Sequence, residues 1–243
     1  MTVDLVLTRA KAYLENEIVD CSLAIDDGRI LKIGKESIMP KATSKRDLGN
    51  LLVLPGLIDA HVHLRDEGKA YKEDFCSGTA AAAAGGFTTV LDMPNNDPVT
   101  MSAETLRGRM AIAESTILVN VGFYSEFPNC LSEMEKIVEE GAIAFKLYMT
   151  EQVGGLDIDD DAALLKAFEA VKKLRTLAAV HAEDKECLDR ATDELKRVGR
   201  NDIDAYLEAH SENVEARAVK HVLNIAKTTS ARVHFCHVST EKG

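Results

Sequence analysis

The feature that most constrains the fold is a regular alternation of two kinds of segment from Leu51 onward. Short apolar runs typical of β-strands are separated by longer segments with the periodicity of amphipathic α-helices. Repeated βα units predict a parallel sheet, either closed into a barrel or left open. The six predicted strands cover residues 57–64, 88–93, 117–123, 142–149, 177–182 and 232–238.

The segments between these strands carry helix start and stop signals. Ser132 and Glu135 have the spacing of a capping box, and Gly141 follows them as a stop. A run of five alanines before Gly85 predicts another helix end. The other predicted helices cover residues 102–114, 131–140, 161–174, 184–198 and 214–227.

The first 50 residues have a different pattern. Strand-like runs cover residues 5–7, 21–25 and 30–33, and Asp26-Asp27-Gly28 separates the last two as a hairpin turn. We therefore predict a small all-β unit over residues 1–52 and a (β/α) barrel over residues 53–243.

The number of strands bears on the completeness of this barrel. A closed (β/α)8 barrel has eight strands and typically about 250 residues, whereas six strands are predicted here. The expected fold is therefore an α/β, TIM-type barrel with about six βα units present. Either this is a six-stranded variant of the fold, or the sequence is the N-terminal part of a longer protein. The second interpretation is favoured.

Charge and cysteine usage exclude several classes of function. Lys and Arg number 29 against 40 Asp and Glu, and a net charge of −11 argues against general binding to nucleic acid or anionic membranes. The sequence start lacks the features of a secretory signal. Five widely spaced cysteines without a CxxC motif argue against a disulfide framework. A reducing cytoplasm is the expected location.

The strongest chemical signal is the segment Asp59-Ala60-His61-Val62-His63-Leu64-Arg65. Because side chains alternate between the two faces of a strand, His61, His63 and Arg65 share one face. Active sites of TIM-type barrels lie at the carboxyl ends of the strands, where two neighbouring imidazoles can bind a metal ion. The alternative is a pair of surface histidines on a polar strand face.

Later strands end in residues of related chemistry. Lys146 lies among small residues on one face of the fourth strand, where a buried amine is costly unless it is paired, modified or functional. Exposure at the barrel mouth is the alternative for this lysine. His181 ends the fifth strand and His237 the sixth, so four histidines at three strand ends favour a shared site. Asn95, in the turn after the second strand, is a weaker candidate because turn chemistry also explains it.

Four other residues are predicted to lie outside this site. His210 and His221 belong to helical or loop segments, and His234 has the opposite strand parity to His237. Cys236 points away from the barrel interior by the same parity. The three histidines are interpreted as structural or surface residues, and Cys236 is not expected to be a metal ligand.

The sequence resembles the dihydroorotase family of cyclic amidohydrolases over essentially its whole length. The resemblance begins with His61-Val62-His63-Leu64-Arg65 and continues through residues 77–90 to Met93-Pro94-Asn95. Three later blocks also resemble the family, namely Phe145-Lys146, Val180-His181-Ala182-Glu183 and His237-Val238-Ser239-Thr240.

This resemblance implies a (β/α)8 barrel, a small β-sandwich domain and a zinc site that is commonly binuclear. His61 and His63 would hold one Zn2+, and His181 and His237 would hold the other. Lys146 would be N-carboxylated and bridge the two ions. The implied reaction is the reversible hydrolysis of the cyclic amide of (S)-dihydroorotate to N-carbamoyl-L-aspartate in pyrimidine biosynthesis.

The resemblance also assigns Arg65 and Asn95 to the substrate carboxylate, which suits the planar fork of an arginine. Two departures from the family pattern affect these expectations. The family's Arg-Glu-Pro-Gly is here Arg65-Asp66-Glu67-Gly68, which is expected to alter a loop and not the metal ligands. The family's catalytic aspartate would lie beyond Gly243, so the acid–base residue is unassigned and the chain as it stands is expected to lack it.

Other functions stay open at this point. Dihydropyrimidinase, hydantoinase and allantoinase share the histidine pair and the lysine, but Arg65 together with Met93-Pro94-Asn95 favours a substrate that bears a carboxylate. A non-catalytic structural subunit with this fold would bind no zinc. The expected partner is a small-molecule substrate. Family membership and an open barrel edge also predict a homo-oligomer or a complex with another enzyme of the pyrimidine pathway.

Overall fold

The computed structural model describes residues 2–243 of the chain. It divides into two compact units, Met1–Gly56 and Leu57–Gly243. All five cysteines are free thiols. Across residues 2–243, the structure contains no helix with the length and apolar character needed to cross a membrane.

The first unit is a mixed five-stranded sheet. Its order is β3-β2-β1-β4, and β5 also pairs with β1. The hairpin between β2 and β3 turns at Asp27 and Gly28, which both have positive φ, as this tight turn requires. Alternate residues of β1 and β2 pack together, including Ala10, Ala12 and Leu23. The strands are β1 Thr2–Leu14, β2 Glu17–Asp26, β3 Arg29–Gly34, β4 Lys41–Asp47 and β5 Leu52–Val53.

The second unit contains six parallel strands that lie in the sheet in the order in which they occur in the sequence. A helix or a longer connection joins each strand to the next, which is the βα arrangement predicted from the sequence. The strands are β6 Leu57–Val62, β7 Phe87–Asp92, β8 Asn120–Glu126, β9 Ala144–Tyr148, β10 Ala178–His181 and β11 Val233–Phe235.

Helices cover the outer face of this sheet, and most begin at a side chain that caps their first turn. Ser102, for example, accepts a hydrogen bond from the backbone N–H of Thr105. The helices are α1 Phe75–Ala84, α2 Ala103–Glu114, α3 Met134–Glu140, α4 Asp161–Lys173, α5 Lys185–Arg197, α6 Ile203–Ala209 and α7 Glu212–Thr229.

The two faces of the sheet have different side chains. On β9, Phe145 and Leu147 point outward into a large apolar core that includes Leu164 and Phe168 of α4. Ala144 points inward, into a small cluster with Met93, Tyr124, Ala179 and Cys236. Because Ala144 and Ala179 are small, they leave space inside the curved sheet, near the carboxyl ends of the strands where the candidate site lies.

Three local predictions are wrong. The third strand covers Asn120–Glu126 and not 117–123, because α2 ends in a turn in which the N–H of Ile117 donates to the carbonyl of Ala113. The predicted capping box at Ser132 and Glu135 does not form, and a 3-10 turn over Leu131–Glu133 leads into α3 instead. Helix α6 was not predicted, because its apolar side chains are largely exposed and give no amphipathic pattern.

Two glycines provide a test of loop packing near the site. A Cβ on Gly155 would lie 2.2 Å from the backbone nitrogen of Asn129, whereas a Cβ on Gly108 in α2 would meet nothing within 4 Å. We expect Gly155→Ala to lower the free energy of unfolding by about 1–3 kcal/mol. Gly108→Ala is expected to raise it by about 0.5–1 kcal/mol. Urea unfolding measures both, and a Gly155→Ala chain as stable as the original would contradict the close approach.

Candidate functional site

The carboxyl ends of the strands bring the four predicted histidines together. His61 and His63 end β6, and their Nε2 atoms are 3.3 Å apart. The Nδ1 atom of His181 is 3.1 Å from Nε2 of His237. The ring centres of His61 and His237 are 5.1 Å apart, although they belong to opposite edges of the six-stranded sheet. The sheet is therefore curled so that its first and last strands end beside one cluster.

The electrostatic environment keeps several of these imidazoles neutral. Burial and, after it, the positive charge of Lys146 lower the pKa of His61 to about 3. Burial also lowers the pKa of His63 to about 4, with a contribution from the charge of Arg65. The pKa of His237 is lowered as well, first by burial and then by His181. Neutral imidazoles keep the lone pair that a metal ion needs.

Lys146 lies inside the curved sheet with no exposed surface. Its Nζ atom donates a hydrogen bond to Sγ of Cys236 at 3.1 Å and lies 4.7 Å from the centre of the Tyr148 ring. Burial lowers the pKa of this lysine, which increases the fraction of nucleophilic free amine. The prediction that Cys236 points away from the interior is wrong. The strand β11 ends at Phe235, and the positive φ of His237 turns the imidazole back toward His181.

Two polar groups at the ends of β8 and β9 are buried without a partner. Within residues 2–243, Oε1 of Glu126 and the hydroxyl of Tyr148 make no hydrogen bond. Burial raises the pKa of Glu126 to about 8, despite the opposing charge of Lys146. Glu126 was missed in the sequence because the third strand was predicted to end three residues earlier. Both groups are available to a molecule bound beside Lys146.

Asn95 connects the second histidine to the predicted substrate arginine. Its Oδ1 atom accepts hydrogen bonds from Nδ1 of His63 at 2.8 Å and from Nη1 of Arg65 at 3.1 Å. Because the proton of His63 then lies on Nδ1, its Nε2 atom carries the lone pair that faces His61. Arg65, Asn95 and His63 thus form one contiguous group.

Glu183 connects His181 to a histidine that the sequence interpretation placed outside the site. Its carboxylate oxygens are 2.8 Å from Nε2 of His181 and 2.6 Å from Nδ1 of His210. The hydrogen bond with His181 is the main reason that the pKa of Glu183 falls to about 2. A carboxylate bound to one ring nitrogen orients the other, so Nδ1 of His181 faces His237. His210, interpreted from the sequence as a structural or surface residue, thus contacts His181 through Glu183, and only the three-dimensional structure reveals this contact.

The donor set fits zinc by chemical type, since neutral imidazoles and a buried amine are grouped beside carboxylates. In the described part of the chain, residues 2–243, no three or more His, Cys, Asp or Glu side chains are arranged to hold a metal ion together. The imidazoles instead contact one another in pairs, His61 with His63 and His181 with His237. The residues that could hold a metal ion are these four histidines together with Lys146.

The lowered pKa values predict acid sensitivity of the metal-free chain. Because His61 and His63 bind protons less readily when folded than when unfolded, stability is complete above about pH 6.5 and falls as the pH drops toward 4. Urea unfolding at several pH values measures this slope. A His61→Gln, His63→Gln chain is expected to show a shallower slope, whereas the exposed His234→Gln should not change it. An unchanged slope in the double variant would contradict the burial of these rings.

Comparison with known proteins places the chain in a family. The sequence model of the amidohydrolase family matches residues 52–242. The chain is 37% identical over 233 residues to a dihydroorotase of Methanothermobacter thermautotrophicus, covering 94% of this chain and 52% of that protein. It is 30% identical over 250 residues to an allantoinase of Salmonella choleraesuis, covering 100% of this chain and 55% of that protein.

The structural comparison agrees. The fold matches an L-hydantoinase (dihydropyrimidinase) from Arthrobacter aurescens with a TM-score of 0.90 and 25% identity, covering 98% of this chain and 53% of that one. The curled parallel sheet is thus a partial barrel, which confirms the predicted fold class. The chain belongs to the amidohydrolase family, a class of generally metal-dependent hydrolases, and the predicted resemblance is confirmed. It spans about half the length of the curated relatives it matches.

Proposed function

We propose that this chain belongs to a dihydroorotase, an enzyme that opens the cyclic amide of (S)-dihydroorotate with water to give N-carbamoyl-L-aspartate. The observation that supports this substrate best is the guanidinium of Arg65, which shares Asn95 with His63 at the edge of the histidine cluster. An arginine in this position can bind a carboxylate through two parallel hydrogen bonds. The reactive amide of the same ring would then lie toward the histidines.

Different residues of the chain bind the substrate and orient the histidines. Arg65 neutralises the substrate carboxylate, and the amide group of Asn95 keeps Arg65 beside His63. Glu183 orients His181, as Asn95 orients His63. These contacts fix which ring nitrogen of each histidine faces the cluster.

Zinc binding is part of the proposal. His61, His63, His181 and His237 would hold two Zn2+ ions, with N-carboxylated Lys146 as the bridge. Bound zinc would lower the pKa of water and polarise the amide carbonyl. The lowered pKa of Lys146 supports the modification, because carboxylation needs the free amine. Assembly with a second copy or with another enzyme of pyrimidine biosynthesis stays a prediction.

A second candidate function is hydrolysis of a cyclic amide that bears no ring carboxylate. The similarity to an allantoinase and to a hydantoinase supports it, since both are of comparable strength to the dihydroorotase similarity. The charge of Arg65 favours dihydroorotate over these neutral rings, because the half-buried guanidinium would gain no ion pair from a ring without a carboxylate.

Substrate preference tests the proposal. Zinc-loaded chain prepared with bicarbonate is compared on dihydroorotate, dihydrouracil and allantoin, by kcat/KM where turnover occurs and by Kd where it does not. We expect a preference for dihydroorotate of at least about tenfold, and Arg65→Met should reduce it by about 1.5–3 kcal/mol, roughly 10- to 150-fold. Arg107→Met, an exposed arginine of α2, is the control.

Three results would count against the proposal. A preference for dihydrouracil or allantoin would assign the chain to another cyclic amidohydrolase. An unchanged preference in Arg65→Met would remove the role given to the guanidinium. A chain that binds no zinc at any concentration tested would support the non-catalytic, structural alternative.

A further inference from the structure

Arg109 is the largest fully buried side chain of the protein, and the function described so far does not use it. It extends from α2 and is 1% exposed. Its Nε and Nη2 atoms donate to one carboxylate oxygen of Asp92 at 2.9 and 2.6 Å. The guanidinium lies 4.6 Å from the centre of the Phe75 ring. A buried charge with this many defined partners is held in one orientation.

The third nitrogen of this guanidinium, Nη1, faces the segment that follows the histidine pair. Nη1 of Arg109 donates to the backbone carbonyl of Arg65 and to Oε2 of Glu67, both at 2.8 Å. Asp92 in turn accepts a hydrogen bond from the backbone N–H of Leu64 at 2.8 Å. Three groups of the segment, at residues 64, 65 and 67, are therefore fixed by one buried ion cluster.

This segment needs such support because its backbone is strained. Arg65, Asp66 and Glu67 have φ values of 55°, 51° and 49°, in the left-handed region that residues other than glycine rarely adopt. Strained conformations of this kind persist only where surrounding contacts hold them. Glu67 is held by an ionic contact with Arg109 and by a hydrogen bond that the side-chain amide of Asn96 donates to its carboxylate.

We propose that Arg109 is a positioning residue for substrate selection: with Asp92 and Glu67 it holds the backbone of Arg65 so that the Arg65 guanidinium meets a ring carboxylate. This inference rests on the proposed function for the identity of the ligand. Arg109 itself touches the backbone of Arg65 and has no part in the histidine cluster.

The test uses two ligands that are not hydrolysed, orotate and uracil, which differ by the ring carboxylate. Arg109→Lys keeps the charge but loses the planar fork, and Arg107→Lys on the same helix is the matched control, since Arg107 is exposed and pairs only with Glu140. In zinc-free chain, calorimetry should show orotate affinity at least tenfold weaker in Arg109→Lys and uracil affinity within twofold.

Hydrogen exchange gives a second readout that needs no ligand. Peptides covering residues 61–70 should exchange at least fivefold faster in Arg109→Lys than in Arg107→Lys. Glu67→Ala removes one acceptor of Nη1 and leaves Asp92 in place, so it serves if Arg109→Lys does not fold. It should change both readouts in the same direction, by a smaller factor.

The outcomes separate the two proposals. Equal weakening of orotate and uracil, or unchanged exchange over residues 61–70, would overturn the positioning role while leaving the proposed function in place. If the unmodified chain binds orotate no better than uracil, the proposed function fails. In that case the exchange measurement alone decides whether Arg109 holds the segment, and faster exchange supports it.

Discussion

Replacing Lys146 with methionine is expected to raise the stability of the chain and to abolish its hydrolytic activity. The amine is fully buried and its hydrogen bond goes to the weak acceptor Sγ of Cys236, so methionine removes a costly polar group at similar volume. We expect a gain of about 1 kcal/mol or more in the free energy of unfolding. Loss of the bridge should reduce bound zinc from two ions to at most one per chain.

The activity should fall by about a thousandfold or more, since the bridged zinc pair is expected to contribute several kcal/mol to the rate. Urea unfolding, zinc analysis and turnover measured on the same preparation check all three effects. Lys166→Met, at an exposed position of α4, should change none of them. A Lys146→Met chain that keeps two zinc ions would contradict the bridging role.

Removing one partner of the buried Arg109–Asp92 pair is expected to have the largest effect on stability. Asp92→Leu leaves a buried guanidinium with less compensation, and Arg109→Met leaves a buried carboxylate. Each should lower the free energy of unfolding by about 3–5 kcal/mol. The double variant should lose less than the sum of the two, because neither charge is then left alone.

A double-mutant cycle measured by urea unfolding checks this coupling. The exposed pair formed by Arg107 and Glu140 is the control, and removing either or both of its charges should leave stability unchanged. If the losses in free energy of unfolding at Arg109 and Asp92 are additive, the two charges do not stabilise each other.

Much of this fold follows from local sequence pattern. In a strand that packs its outer face against helices, apolar residues occupy every second position, as Phe145 and Leu147 do in β9. This alternation is visible in the sequence, so all six strands could be predicted from it. The histidine pair was found for the same reason, because residues two apart share one face of β6. The placement of Lys146 inside the sheet follows from the same alternation.

The features that were missed depend on contacts between distant parts of the chain. Arg109 and Arg107 look alike in the sequence of α2, and only Asp92, 17 residues away, and Glu67, 42 residues away, distinguish them. Glu126 was missed because the end of α2 delays the start of β8. The contact between Glu183 and His210 joins two loops whose approach has no local signal.

The order of strands in the sheet has a consequence for biosynthesis. Each strand from β7 to β11 pairs with the strand made immediately before it, so the sheet can grow as the chain leaves the ribosome. The cluster, however, joins His61 from the first of these strands to His237 after the last. A nascent chain therefore lacks His237, and with it the His181–His237 pair, until β11 has joined the sheet. In the proposed function, the complete zinc site can therefore form only after β11 has joined the sheet and brought His237 to the cluster.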